Sequence, residues 1–442
     1  MASPFTRRVA GVFGTRIVQF AVGIAIFYVL SALLGPAGIG VYATATLIPG
    51  TLYALATFGL PSSLTFHSGR GRDFGSVARI AIVMGLLASV WLVAGAWLLI
   101  PWLRTNLVQT VPDAYLRFIL IAIPFQLTAT LLGSVLYGRQ IIRNYNLILI
   151  GQSGLMLLLD LLLVGVLHLE VFGALLAFVT SLAAAALLTY AEVWRARHRE
   201  AAERGRPASY SEVLGYGVRL YPAVVTSFFN YRADVYLLNW LTDSQSLVGL
   251  YSRAVTLAEM VFYVPDSVSS IFFPRVASSE PQAAGRMVPD VCRMTLLITL
   301  LSAAAILPVA FVGIHLLLPR FVGSLAPMAV LLPAVIAISV AKVLAGYLTG
   351  LGHARWVSTA ASVSVVVNVA ANLFLIPRWG IVGAASASVL SYTLHAAILI
   401  VGSVRISGSP TAAFLLPRRA DWQRLSGGLL GLLGLLRRRV TT

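Results

Sequence analysis

Long apolar stretches follow one another along the chain and are separated by short polar gaps. A helix needs about 20 apolar residues to span the hydrocarbon core of a bilayer, and windows of that length predict twelve spans. Their approximate ranges are residues 9–34, 39–66, 77–103, 114–138, 144–168, 171–194, 214–241, 247–274, 289–318, 325–350, 356–376 and 381–404. Helix-ending pairs such as Gly35-Pro36, Pro112-Asp113 and Pro377-Arg378 lie between them. The pattern predicts an all-α polytopic membrane protein.

The composition supports this interpretation. The 442 residues are 59% hydrophobic and only 11% charged, and the mean hydropathy is +0.89, which fits a bilayer protein and not a soluble domain. The formal net charge is +17, and Lys342 is the only lysine. Because the arginines lie in short gaps between apolar stretches, they indicate membrane topology rather than a nucleic-acid patch. We expect membrane lipids as partners and no nucleic acid.

Several classes of site are excluded by the motifs. Cys292 is the only cysteine, so no intrachain disulfide or thiolate metal site can form. The histidines lack metal-ligand spacing, and no G-x-x-x-x-G-K-[ST] loop is present. The outer gaps are too short for a catalytic domain. We expect a non-enzyme without metal or cofactor. The start, MASPFTRR, resembles a signal peptide, but the apolar run after it is too long, so a retained first helix is predicted.

The arginines alternate between two sets of gaps. One set holds most of them, including five between residues 195 and 206. The other set holds only Arg104, Arg117, Arg320 and Arg378. Because short cytoplasmic loops are enriched in arginine and lysine, both termini are predicted to be cytoplasmic, in an inner or plasma membrane. Consistent alternation also favours an even number of spans.

The two halves of the chain repeat. The stretch G-V-Y-A-T-A at residues 40–45 recurs as G-L-Y-S-R-A at residues 249–254. Two weaker matches share the same shift of about 210 residues, so the halves have a common register. Six spans in each half give both halves the same orientation, which is the parallel-repeat pattern of transporters whose substrates bind between the halves.

The repeat predicts a division of the chain into four segments. They are an N-terminal six-helix lobe (1–194), a cytoplasmic basic linker (195–212), a C-terminal six-helix lobe (213–406) and a cytoplasmic basic and apolar tail (407–442). The linker is interpreted as a solvated segment that sets topology. The tail contains GGLLGLLGLL, which is too short to span the bilayer. It either lies at the lipid surface or is disordered.

Four arginines are candidate substrate ligands: Arg16, Arg219, Arg232 and Arg253. A charge within a span is costly in hydrocarbon, so it faces the protein interior or a cavity. Arg232 and Arg253 are predicted at similar depth, where two guanidinium groups can grip a phosphate or pyrophosphate bidentately. The alternative is that Arg253 pairs with Asp234 and binds nothing. Arg16 either lines a cytoplasm-open cavity or reaches the lipid surface.

Three acidic residues are candidates for coupling transport to Na⁺ or H⁺: Asp234, Glu259 and Asp266. Glu259 and Asp266 are seven residues apart, so a continuous helix would place them on one face, about 10 Å apart along the axis. The alternative is an internal ion pair or an Asp266 that faces the cytoplasm. The mid-span charges Asp160 and Lys342 receive no role. The pair Asn368 and Asn372 is expected to bond neighbouring helices.

The stretch from YRADVYLLNWL to SSIFFPRVAS, residues 231–278, resembles the seventh and eighth helices of the Wzx-type polysaccharide flippases. These belong to the multidrug/oligosaccharidyl-lipid/polysaccharide (MOP) exporter superfamily, together with the MATE drug exporters. The motif consists of an arginine and an acidic residue, Arg232 and Asp234, then G-x-Y-x-x-A at 249–254, then Pro274-Arg275. Residues 33–66 resemble the family's first-to-second helix region, and WGIVGAASASVLSY resembles its last-helix signature.

The resemblance implies a MATE-like, V-shaped bundle of two six-helix lobes with alternating access to a cationic cavity. It implies transport of an isoprenoid-pyrophosphate-linked oligosaccharide for cell-surface polysaccharide biosynthesis. Arginines would meet the pyrophosphate and sugars, and glycan polymerase or ligase proteins would be partners. Lipid II flippases resemble the chain less, since they carry two further spans.

Three alternatives remain. A MATE-like ion-coupled exporter of small organic cations would use Glu259 and Asp266, although mid-span arginines count against it. A major-facilitator transporter would carry D-R-x-G-R-R where this chain has HSGRGRDFGS. A scaffold without transport activity would need few mid-span charges, and this chain has many.

Overall fold

The computed structural model describes residues 4–106, 108–199, 205–263, 265–266, 268–269, 272, 276, 280–423 and 425–426, with side chains from residue 18 onward except those of 220 and 223. These residues form helices joined by short turns, and no strand occurs among them. The helices are α1 (Pro4–Ala56), α2 (Leu60–Gly69), α3 (Phe74–Asn106), α4 (Asp113–Ile119), α5 (Ala122–Gly138), α6 (Ile142–Leu159), α7 (Glu170–Arg199), α8 (Tyr210–Thr242), α9 (Gln245–Glu259), α10 (Pro281–Leu317), α11 (Leu325–Gly350), α12 (Ala354–Ser407) and α13 (Thr411–Leu415). A π-helical turn (Asp160–Val166) extends α6, and 3₁₀ turns cover Met260–Phe262 and Pro319–Ser324.

Two very long helices, α1 and α12, are each divided at a glycine. Gly35 has φ 64° and ψ −179°, and Gly380 has φ 54° and ψ −131°. Positive φ is strained for other residues, so glycine is the residue that permits these breaks. The break predicted at Gly35-Pro36 is confirmed, whereas the second break falls at Gly380, three residues beyond Pro377. Each half is long enough to cross a bilayer.

The number of spans agrees with the hydropathy pattern. Among the described residues, eight helical segments are long and apolar enough to cross a membrane. This set includes α1 and α12 as single segments and leaves out α8 and α9, the second of which has only 15 residues before its 3₁₀ turn. Counting the halves of the two divided helices separately, and adding α8 and α9, gives twelve segments. The predicted all-α polytopic fold with about twelve spans is confirmed.

The chain forms two compact units, which are described separately. Unit 1 contains the described residues of Met1–Arg253, Gly313–Ser324 and Asn372–Ala384, and unit 2 contains those of Ala254–Val312, Leu325–Ala371 and Ala385–Thr442. Unit 1 thus holds all of α8 and most of α9 as well as the N-terminal helices. The division into 1–194, 195–212, 213–406 and 407–442 stays a prediction.

Two apolar core clusters lie among the described residues of unit 1. One gathers α1, α3, α4, α5 and α7 around Leu116, Ile123 and Leu175. The other gathers α2, α3, α5 and α7 around Leu64 and Leu131. Neighbouring helices pack their inward stripes together, while the outward faces of these helices stay apolar, as expected of a protein that contacts lipid.

The described half of the basic linker packs against unit 1. Asp73 donates its backbone N–H to the Arg206 carbonyl at 3.1 Å, and Ala208 donates its backbone N–H to Ser76 Oγ at 2.9 Å. Arg72 Nη2 lies 3.0 Å from Glu212 Oε2. Residues 205–212 are therefore fastened to the turn between α2 and α3 instead of standing free in solvent as expected.

The first part of the predicted tail is packed in unit 2. Arg293, only 2% exposed, reaches from α10 to Asp421, which is 1% exposed, with Nε and Oδ2 2.7 Å apart. Arg293 Nη1 also donates to the Ala413 carbonyl at 2.6 Å. These bonds hold α13 and the residues after it against α10. The GGLLGLLGLL stretch lies outside the described residues.

Candidate functional site

The two copies of the repeated motif pack against each other in unit 1. A Cβ atom at Gly40 would overlap the carbonyl oxygen of Gln245, and one at Gly249 would overlap the carbonyl oxygen of Pro36. Glycine is therefore required at both positions for α1 and α9 to approach backbone to backbone. This contact fixes the positions of Tyr42 and Arg253, which follow the two glycines in their respective motifs.

Helix α8 lies along the second half of α1 and along α2. Thr51 Oγ1 and the Tyr236 hydroxyl form a hydrogen bond of 2.7 Å. The Tyr221 hydroxyl donates to the Leu55 carbonyl at 2.5 Å, and the Phe66 and Tyr216 rings stack with centroids 4.4 Å apart. Hydroxyl groups thus link helices from both halves of the chain along a polar seam, as is usual for helices that pack inside membranes.

The centre of the site is a buried pair of opposite charges. Arg253 is 8% exposed and Asp160 is 0% exposed. Arg253 interacts electrostatically with Asp160 and Tyr42, and its guanidinium carbon lies 4.9 Å from the Phe27 ring centroid. Within the described part of the chain, Arg253 Nε and Nη2 and both Asp160 oxygens have no hydrogen-bond partner. The two charges partly offset each other through space, without a direct hydrogen bond from any of these four atoms.

Asp160 lies where the helix type changes. It is the first residue of the π-helical turn that extends α6. Such turns interrupt α-helices and occur often at functional positions. An isolated buried carboxylate is costly, and the field of Arg253 reduces that cost.

The sequence left open that Asp234 pairs with Arg253, but Asp234 has a different partner in the structure. It is buried on α8 and accepts a short hydrogen bond from the Tyr251 hydroxyl. Arg253 instead faces Phe27, Tyr42 and Asp160 on the N-terminal helices. The candidate arginine is therefore not used up by Asp234 in the hairpin between α8 and α9.

The other candidate arginines lie in different surroundings. Arg232 is half-buried on α8, two residues before Asp234, and Arg219 is exposed in the first half of the same helix. The side chain of Arg16 lies outside the described residues, as do Pro274 and Arg275. Of the four arginines proposed from the sequence, Arg253 is the one whose described surroundings are a buried polar site.

The acidic candidates do not form the expected continuous stripe. Helix α9 ends at Glu259 and continues as a 3₁₀ turn, so a spacing of seven residues no longer places Glu259 and Asp266 on one α-helical face. Asp266 is exposed and accepts a hydrogen bond from Lys342 Nζ at 2.6 Å. For Asp266 the structure has the internal ion pair that was the alternative to ion coupling.

Two buried polar residues gained no role from the sequence. Asp160 was visible as a mid-span charge, but its proximity to Arg253 joins distant parts of the chain and has no spacing signal. Asn230 is buried on α8, and its Oδ1 meets no hydrogen-bond partner in the described ranges. Nothing in the sequence distinguishes it from asparagines that link helices, such as Asn368, which donates to Ser391 Oγ at 3.2 Å as expected.

Comparison with known proteins identifies the family. The sequence profile of a family described as "Polysaccharide biosynthesis protein" matches residues 29–320. The chain belongs to this family. The match runs from the first half of α1 to the end of α10, and so includes Tyr42, Asp160 and Arg253. No curated protein has a sequence that matches this chain significantly.

Solved structures show that the fold is that of the MOP superfamily. An inward-facing multidrug resistance MATE transporter has 15% sequence identity and a TM-score of 0.69, with 89% of this chain and 98% of that chain covered. A MOP superfamily transporter from Pyrococcus furiosus, described as having a binding pocket of reverse polarity, has 14% identity, a TM-score of 0.68 and coverage of 91% and 96%. Lipid II flippase MurJ, in an inward closed conformation, has 11% identity, a TM-score of 0.71 and coverage of 92% and 88%. The resemblance to Wzx-type proteins and the MATE-like fold predicted from the sequence are confirmed.

Proposed function

We propose that this member of the polysaccharide biosynthesis family is a flippase. It moves an isoprenoid-pyrophosphate-linked oligosaccharide from the cytoplasmic to the outer leaflet by alternating access, for cell-surface polysaccharide biosynthesis. The observation that carries the proposal is the buried Arg253, whose Nε and Nη2 have no hydrogen-bond partner among the residues that the structure describes. A guanidinium group with free donors in a membrane protein suits a phosphorylated lipid headgroup.

Asp160 lowers the net charge of this site before substrate binds. Without substrate, its carboxylate offsets the charge of Arg253, although neither group gains a direct hydrogen bond from the other. A pyrophosphate would bind the unused guanidinium donors more strongly than the distant carboxylate does. Arg232, Arg219 and Arg16 are proposed to extend the cationic path for the pyrophosphate and sugars.

Coupling to a cation is the second part of the proposal. An unpaired buried carboxylate is stabilised when it meets a proton or a metal cation. Asp234 and Glu259 remain candidates for Na⁺ or H⁺ coupling, together with Asp266 should its ion pair with Lys342 open. Asp160 joins this set because neither of its oxygens has a hydrogen-bond partner among the described residues.

We also propose where the protein lies in the cell. The arginine distribution assigns both termini to the cytoplasm and the protein to an inner or plasma membrane. Glycan polymerase or ligase proteins would then receive the product on the outer face. No cofactor is required, because the proposed reaction moves a lipid and changes no bond in it.

The test is native mass spectrometry of protein extracted in mild detergent from membranes that make the glycan. Wild type should carry a polyprenyl-pyrophosphate saccharide, and the Arg232→Ala, Arg253→Ala double variant should lose it, since a charge-assisted hydrogen bond contributes roughly a factor of ten or more to binding. Arg378→Ala is the control, because that exposed guanidinium packs on Phe374 and should leave binding unchanged. Bulk phospholipid alone in wild type, or a saccharide retained by the double variant, would contradict the proposal.

A MATE-like exporter of small organic cations is the second candidate. The observation that favours it is the fully buried Asp160, whose oxygens have no hydrogen-bond partner in the part of the chain that the structure describes, because a carboxylate attracts an organic cation. Added cations should then bind to wild type and lose affinity in Asp160→Asn and Glu259→Gln. Arg253 within the same site opposes this function, and Arg253→Ala should strengthen cation binding if it is correct.

A further inference from the structure

An apolar groove runs along the membrane-facing side of unit 1, away from the charged site. It lies between α3 and α5 and has a volume of about 650 Å³. Leu86, Val90, Ala94 and Trp97 of α3 form one wall, and Pro124 of α5 contributes to the other. Its walls are almost wholly apolar.

A polar pocket continues the groove at the end of α3. It has a volume of about 560 Å³, and its lining includes Arg104, Asp113 and Arg117. Val90, Trp97 and Arg104 follow one another at intervals of seven, so they lie on one face of α3. The Arg117 guanidinium carbon lies 4.6 Å from the Trp97 ring centroid, which joins the polar pocket to the apolar groove.

The polar pocket carries net positive charge. Arg117 Nε lies 2.7 Å from Asp113 Oδ2, so this pair is neutral. Arg104 is exposed and forms no ion pair with any described residue. One uncompensated guanidinium group beside a second one is suited to a phosphate group, which accepts parallel hydrogen bonds from arginine.

The dimensions fit one lipid of a single leaflet. From Leu86 to Trp97 the helix rises about 16 Å, and half the hydrocarbon thickness of a bilayer is about 15 Å. From Trp97 to Arg104 it rises about 10 Å more, which places the arginine at headgroup level. Tryptophan is enriched near the boundary between hydrocarbon and headgroups, which fits the position of Trp97. Bulk lipid would cover the exposed side chains of α3, such as the 79% exposed Trp91, but it does not require a groove that ends at two arginines.

We infer that this groove binds one phospholipid with an anionic headgroup. An acyl chain lies between Leu86 and Trp97, and the phosphate contacts Arg104 and Arg117. The binding site is separate from Arg253 and does not depend on the proposed transport substrate. The positive-inside pattern assigns the headgroup to the outer leaflet, although the contacts themselves are the same in either leaflet.

The test is native mass spectrometry of delipidated protein with phosphatidylglycerol and phosphatidylcholine added in equal amounts. Wild type should retain one phosphatidylglycerol, and the Arg104→Ala, Arg117→Ala double variant should bind it about tenfold more weakly, because two charge-assisted contacts are lost. Ala94→Phe, which places a ring in the groove, should weaken binding while keeping both arginines. Arg378→Ala is the matched control for an exposed arginine outside the groove and should behave as wild type.

Equal retention of both lipids by wild type would overturn the inference, as would undiminished phosphatidylglycerol binding in the double variant or in Ala94→Phe. A polyprenyl phosphate that displaces the phospholipid from wild type would also overturn it, since the groove would then belong to the carrier lipid. Monodisperse size-exclusion profiles establish that each variant is folded. Because Arg232 and Arg253 are intact in every variant, failure here leaves the flippase proposal untouched, and failure of that proposal leaves this site untouched.

Discussion

Arg253 and Asp160 depend on each other, although no hydrogen bond joins them. Either charge alone would be an ion buried among apolar side chains, which costs several kcal/mol. Together they reduce that cost through their mutual field while their donors and acceptors stay available. A tight salt bridge would be more stable and less useful, because a ligand would have to break it. The proposed transport requires a site that exchanges partners, and a loose pairing suits that requirement.

Removing both members of this pair should destabilise the protein by less than the sum of the two single removals. Asp160→Asn and Arg253→Met are each expected to lower the free energy of unfolding by about 1–3 kcal/mol, since each leaves an uncompensated group or a lost charge interaction. The double variant should lose less than the sum of the two. Thermal unfolding in detergent, followed by tryptophan fluorescence, measures all three. Strict additivity would mean that the two charges do not interact.

The sequence predicted part of this site because a charge within an apolar stretch stands out. Arg253 and Asp234 were found in this way, and Asp160 was noticed. Which charges meet was not predictable, because Asp160 and Arg253 come from helices far apart in the sequence. The π-helical turn that begins at Asp160 has no hydropathy signature either.

At the scale of elements, the repeated glycines bring the halves of unit 1 together. Valine at position 249 would overlap the Pro36 carbonyl oxygen, so Gly249→Val should separate α9 from α1 and destabilise the fold by about 1–3 kcal/mol. A cysteine introduced by Thr44→Cys, buried in wild type, should then react faster with a maleimide. Gly23→Ala is the control, since a methyl group there meets nothing within 4 Å, and it should change neither stability nor labelling. Unaltered labelling in Gly249→Val would show that the close approach is not required.

A second prediction at this scale concerns the ion pair between Arg293 of α10 and Asp421 of the tail, which we call the latch. Asp421→Asn removes the buried partner of Arg293, so the segment from α13 to Asp421 should detach, with a loss of about 3–5 kcal/mol for breaking a buried pair. Limited trypsin digestion should then cleave faster after Arg418 and Arg419. Asp290→Asn is a matched control, because this 41% exposed carboxylate pairs with the same arginine and exposed pairs contribute less than about 1 kcal/mol. Equal protease resistance in both variants would contradict the latch.

Helix positions followed from hydropathy because each span must present apolar residues to lipid. The divided helices were predicted for the same reason, with glycine and proline marking the break at Gly35. The packed segments 205–212 and 410–421 were not predicted. Their polar composition is typical of solvated loops. Their attachment depends on single contacts such as Ser76 with Ala208 and Arg293 with Asp421, and the hydropathy pattern does not predict such contacts.

At the scale of the whole molecule, the two copies of the repeated motif share a glycine and a tyrosine but differ in charge. The fifth residue of the motif is Thr44 in the first copy and Arg253 in the second. The tyrosine is kept in both copies, where Tyr42 interacts with Asp160 and Tyr251 donates to Asp234. One helical framework, used twice, thus places a buried arginine in the second copy of the motif where the first copy has a threonine. The proposed binding of an anionic lipid headgroup depends on this asymmetry.

Orientation in the membrane is the prediction that belongs to the complete chain. Most arginines lie in one set of gaps, so the gap that contains Gln109 should face outward and the one that contains His198 should face the cytoplasm. In intact cells a membrane-impermeant maleimide should label Gln109→Cys at once, whereas His198→Cys should react only after permeabilisation. Wild type serves as the control, because its single cysteine, Cys292, is buried. The reverse labelling pattern would invert the topology, and would then move the proposed phospholipid to the cytoplasmic leaflet while reversing the direction of the proposed transport.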